Sequence, residues 1–233
     1  DDSLPPRARA LAKLATTLTA QPWAVAGETV QDVVRLELDE AQIEAVIGVI
    51  SMFNYFTRVA NATGIEFDYL TPLPAFEPDL RQATAPRPSR SAASGDAASG
   101  GSVSNGSAGG GRRRPQNRQL QAAWEAWRGY LLAAEAPISR RERRLLASVA
   151  AEETTDWEGA EALNGLERPR DDDPLVGFAR KLSRHPWRME AGDLAQLRTA
   201  GYSEKAVLHV ISVVAHQNAD SRLAIGLGAV SQT

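Results

Sequence analysis

His185, His209 and His216 are the chain's three histidines, and they are the side chains whose ordinary pKa lies closest to neutrality. His209 and His216 are seven residues apart, so a helix would carry both on one face. With Ser212 and Gln217 beside them they could line a polar pocket in which His216 acts as general acid or base. The plainer reading makes them partly exposed or interface histidines. Glu152, Glu153 and Asp156 form a carboxylate cluster that could supply the matching acid or base, or could be the solvated end of a helix.

A second constellation is Asn-x-x-x-Arg, present as Asn54/Arg58 and again as Asn218/Arg222. Residues four apart on a helix are neighbours on one face. Arg58 lies eleven residues after Ile47, and Arg222 eleven after Ile211, so each guanidinium continues an apolar stripe. A buried guanidinium brings five donors and needs several acceptors. Either these pairs hold a ligand, with Arg222 gripping a substrate carboxylate, or each Arg closes the bundle on carbonyls or a carboxylate.

Other chemistries are excluded by composition or spacing. The chain has no cysteine, which removes disulfides, thiolate metal sites and thiol redox chemistry together. There is no Glu-x-x-His or His-x-x-x-His zinc spacing, so no metal ligands and no cofactor are expected. Gly226-x-Gly228 sits at a helix end with no following strand and fails the context test for a phosphate loop. The net charge of -3 gives no basic field for nucleic acid, and Arg112-Arg113-Arg114 is too short a basic run to change that. No unbroken apolar run approaches the length of a membrane span. Asp1-Asp2-Ser3-Leu4 lacks the features of a signal peptide and lacks Met, so the chain reads as a processed product or a fragment, cytoplasmic by default and with no membrane partner.

The elements that must position these residues occur twice. Shifting the sequence by 164 residues lays Leu38–Gly64 on Tyr202–Gly228 and Gln21-Pro22-Trp23 on His185-Pro186-Trp187 without a gap. From Leu11/Leu175 to Gly64/Gly228, 13 of 54 aligned positions are identical. A fixed-offset match of this length reads as a duplicated unit, here two related domains. In the first copy the spacing predicts helices over 7–20 and 27–36, then a long helix capped by Asp39 and Gln42 and carrying Ile43, Ile47 and Ile50 inward. In the second unit helices are predicted from about Gln119, with Trp124, Trp127 and Tyr130 on one face, and from Arg140, capped by Ser139 and Glu142. A shorter helical piece follows with Ala160 and Leu163, and Gly201 stops a helix ahead of the last one. Ser91–Gly111 is almost wholly Ser, Gly and Ala, which cannot order itself by burial. The expected organisation is therefore all-α: a partial unit over 1–80, a disordered linker over 81–118 and a complete unit over 119–233.

Phe178-Ala179-Arg180-Lys181-Leu182-Ser183, then Gly192–Ser203 with its Ala200-Gly201-Tyr202-Ser203 turn, then Val213–Gly228 with Asn218-x-x-x-Arg222, resemble the carboxymuconolactone decarboxylase/AhpD-like superfamily. The nearest likeness is to its alkylhydroperoxidase-domain, or peroxidase-related, branch. Residues 1–70 resemble the C-terminal half of such a domain and 119–230 a whole one. The resemblance implies an AhpD-like helical bundle that forms oligomers, often trimers or hexamers. It also implies peroxidase chemistry by a Cys-x-x-Cys pair, with a Glu upstream and a His beyond. Aligned without gaps, the Glu falls on Arg144, the cysteines on Asp156 and Gly159, and the His on Leu163. That chemistry is lost here. The resemblance then points to a catalytically degenerate relative of the antioxidant peroxidases. Such a protein would be a structural or regulatory subunit, in a homo-oligomer or beside a Cys-containing paralogue. The alternatives are a cysteine-independent decarboxylase or isomerase acting on a small organic acid, and a scaffold tethering two bundles.

Overall fold

Asp39 and Ser139 each start a helix by the same device. In both, the side chain accepts from the backbone N–H three residues on, while Gln42 or Glu142 bonds back to the cap's own N–H. That satisfies two of the donors every helix start leaves open. The protein, as a computed structural model, is described over residues 4–25, 27–36, 38–65, 113–163 and 173–230. Its described residues contain helices and no strand. They are α1 (Pro6–Ala20), α2 (Gly27–Val34), α3 (Glu40–Thr63), α4 (Arg118–Ala133), α5 (Arg140–Glu153), α6 (Trp157–Leu163), α7 (Pro174–Arg184), α8 (Ala191–Thr199) and α9 (Glu204–Val230). Short 3-10 turns at Pro22–Ala24 and Pro186–Arg188 follow α1 and α7. The expected linker lies largely outside the described residues, as does the tail from Glu66 to Leu80.

The same spacing recurs in the elements. α1 and α7 end, the two 3-10 turns begin and end, and α2 and α8, like α3 and α9, begin at positions 164 residues apart. The residues before the turns, Gln21 and His185, share nearly one backbone conformation, φ -140 and ψ 63 against φ -133 and ψ 55.

α3 and α9 pack along each other more extensively than any other pair. One apolar cluster joins Leu14 and Leu18 of α1, Val33 of α2 and Ile43, Ile47 and Ile50 of α3 to Leu223 and Leu227 of α9. A second gathers Leu146 and Val149 of α5, Leu182 of α7 and Val210, Ile211 and Val214 of α9, and takes in Ala62 of α3. The described parts of the stretches 1–80 and 119–233 thus share their interior. Gly226 makes the close crossing possible: a Cβ there would lie 2.7 Å from Ile47 Cγ2 and 3.3 Å from Leu18 Cδ2.

Among the described residues α3 is the one helix long and apolar enough to cross a membrane by length and composition, with 33% of that stretch buried. Its apolar residues still form no unbroken run of that length, because Asn54 and Arg58 interrupt them. Arg113 to Asn117 differ from expectation. Arg114, expected within the disordered linker, bonds the buried carboxylate of Asp220 at 2.6 Å.

Candidate functional site

Thr19 and Ser183 stand in the last turns of α1 and α7, where carbonyls have no partner within the helix. The repeated Asn and Arg residues meet them there. Arg58 donates through Nη1 to Asn54 O (3.0 Å) and Oδ1 (2.8 Å), and through Nη2 to Ser183 O (3.0 Å). Arg222 donates through Nη1 to Asn218 O (3.0 Å) and Oδ1 (2.9 Å), and through Nη2 to Thr19 O (2.9 Å). Asn54 Nδ2 donates to Thr19 Oγ1 at 2.9 Å, and Asn218 Nδ2 to Ser183 Oγ at 2.8 Å. The six residues close a ring. Within it each Asn bonds its own copy, and each Arg crosses to the other.

Both arginines are 3% exposed. The bonded acceptors are backbone carbonyls and amide oxygens rather than carboxylates. What offsets the charge is the partial negative end of a helix, since Arg58 sits on the C-terminus of α7 and Arg222 on that of α1. Burial pulls the Arg58 pKa down to about 9. Burial lowers that of Arg222 as well, and the nearby Arg58 charge adds to the effect.

The two histidines go to different places. His209 Nδ1 lies 3.2 Å from both Nη1 and Nη2 of Arg143. A guanidinium only donates, so Nδ1 accepts and the neutral ring carries its proton on Nε2. Desolvation first, then the charges of Arg143 and Lys205, hold the His209 pKa below its ordinary value. Arg143, fully buried, also donates to the carbonyls of Leu131, Ala136 and Ile138 and so clamps the turn between α4 and α5. His216 is 2% exposed and lies against the Trp124 ring, centroids 4.9 Å apart. It walls a cavity of about 200 Å³ with Met52, Tyr55, Leu120, Ala123, Trp124 and Trp127. That cavity is almost wholly apolar, and His209, Asn218, Arg222, Glu153 and Asp156 are not among its walls.

The carboxylates are held structurally. Asp156 Oδ1 accepts from the Gly159 N–H at 2.9 Å at the start of α6, and Oδ2 accepts from Ser221 Oγ at 2.6 Å. Ser221 in turn accepts from Gln217 Nε2 at 3.1 Å. A Cβ on Gly159 would run into the Asp156 carboxylate. Glu153, almost buried, pairs with Arg184 and, at 3.5 Å, with Arg180.

Sequence reasoning missed Asp220. It is fully buried on α9 and receives Arg114 Nη1 at 2.6 Å and Trp124 Nε1 at 2.8 Å, with Arg128 at 3.7 Å. It also missed Arg143. In both cases a charge inside a helical pattern reads as solvent-facing, and the partners lie far away in sequence. Thr19 and Ser183 were legible in principle, because both precede Pro-Trp at the common offset.

No family model matches the chain, and no curated protein or solved structure shows a match to it.

Proposed function

We propose that this chain is a duplicated, AhpD-like helical protein of the carboxymuconolactone decarboxylase superfamily that works as a structural or regulatory subunit without thiol chemistry. The observation that carries the reading is the fate of the two positions aligned with the peroxidase cysteines. Asp156 caps α6 through Gly159 and anchors Ser221, and Gly159 has no room for a side chain while that cap stands. A pair of residues committed to starting a helix leaves no place for a reactive dithiol. The duplication has its support in the matching element boundaries and in the ring in which each copy's Arg bonds the other copy's helix end.

In this reading the protein is cytoplasmic and acts in a homo-oligomer or beside a Cys-containing paralogue. The purified, metal-free chain is expected to give no turnover of an organic hydroperoxide with a dithiol reductant. When co-expressed with a cysteine-containing superfamily member, it is expected to co-purify with it and change its peroxide turnover. Robust peroxidase activity of the chain alone would overturn the reading. A cysteine-independent decarboxylase or isomerase is less well supported. Arg222, the residue it needs for a substrate carboxylate, is spent on Asn218 and Thr19, while His216 faces an apolar cavity.

A further inference from the structure

The two long helices treat one face in opposite ways. On α9, Val213, Gln217 and Asp220 are at most 1% exposed. Val213 packs in the cluster that holds α5, Gln217 bonds toward the start of α6 through Ser221, and Asp220 receives Trp124 of α4. The positions 164 residues earlier on α3 are Val49, Phe53 and Phe56, and they are 56%, 65% and 55% exposed. The polar residues are buried and the apolar ones are bare. A helix that is apolar on every side ordinarily has every side covered.

We propose that the Val49/Phe53/Phe56 face of α3 is a self-association surface that takes the same face of a second copy of this chain, α3 against α3, about a twofold axis near Phe53. Electrostatics favour a second copy. In a twofold contact like meets like, so a charged residue near the axis would face itself. Between Glu44 and Ile65 the only formally charged residue is Arg58, and it is buried in the ring on the opposite side of the helix. Ala45, Gly48 and Ala60 lie along the same stretch and let a second helix approach closely. A partner suited to the face as α4 to α6 suit α9 would instead meet an acceptor or a carboxylate, and here Phe replaces both Gln and Asp.

This goes beyond the subunit reading, which needs a partner of some kind but names no surface, and the two fail separately. The full-length chain is expected to sediment at twice its mass of 25.1 kDa at micromolar concentration. Phe53→Gln with Phe56→Asp, the residues α9 carries at these positions, is expected to give the 25.1 kDa species with an unchanged far-UV helix signal. Because the chain lacks cysteine, Phe53→Cys is expected to cross-link to a disulfide dimer under mild oxidation, while Thr16→Cys on α1 is not. A wild-type monomer throughout overturns the proposal, as does a dimer that persists in the double variant. Partition of the monomer into phosphatidylcholine vesicles also overturns it and assigns the face to lipid instead.

Discussion

At the scale of single residues, Arg58 and Arg222 carry the most weight. Each satisfies a carbonyl at a helix end that nothing else in the ring reaches. Removing either is expected to lower stability by about 3–5 kcal/mol, read from urea melts of Arg58→Ala and Arg222→Ala. Because the first unit reads as partial in the sequence, Arg58 would be expected to matter less than Arg222. The reciprocal bonding makes the two losses comparable. Their charges repel, so the double variant should lose less than the sum of the singles. His209 gives a pH effect of definite sign. Its folded pKa is depressed, so the unfolded chain takes up the proton first, and the contribution present above pH 6.5 is lost as pH falls from there through the lower folded value. His185 is depressed as well, by burial and by Arg188 and Arg184, and acts in the same direction. An NMR titration should place the His209 midpoint below 6.5, and His209→Gln should flatten the stability slope in that window. The buried Asn and Arg were legible because an apolar stripe led to them twice. Asp220 and Arg143 were not, since nothing in a local pattern tells a buried charge from a wet one.

At the scale of elements, the capping chemistry expected from the sequence is local and forms, while the equally local caps at Asn117 and Asp173 were not read. Asp39/Gln42 and Ser139/Glu142 both close as expected, and Gly201 takes φ 96 where the turn before α9 needs a left-handed residue. Thr155, at φ 60 between α5 and α6, was not legible, because a β-branched residue avoids that conformation unless its surroundings impose it. Close helix crossings are equally hidden from periodicity. Gly226 reads as a mild defect in a helix, yet it is where α9 meets Ile47 and Leu18. Gly226→Ala should therefore destabilise despite alanine's better helix propensity, by about 1–3 kcal/mol from overpacking. Gly177→Ala is the control, since a Cβ there meets nothing within 4 Å, and it should leave the melting temperature unchanged or slightly raised.

At the scale of the whole molecule, the offset of 164 residues told which segments are alike but not that they touch. Kinship between segments is a local property of sequence, whereas contact between them depends on which apolar faces remain uncovered. Two related units were expected, and the structure packs them around shared clusters. The ring of Asn54, Arg58, Thr19, Asn218, Arg222 and Ser183 has a consequence for how the chain comes apart. Every path around it passes twice between the halves, so neither half keeps its helix ends satisfied alone. The chain should lose its structure in a single calorimetric step rather than two. Cleaved anywhere between residues 66 and 112, it should behave as a complementing pair: the two fragments, each poorly ordered by circular dichroism, regain the intact helix signal on mixing in equal amounts. With Arg58→Ala in one fragment and Arg222→Ala in the other, the severed halves should no longer find each other.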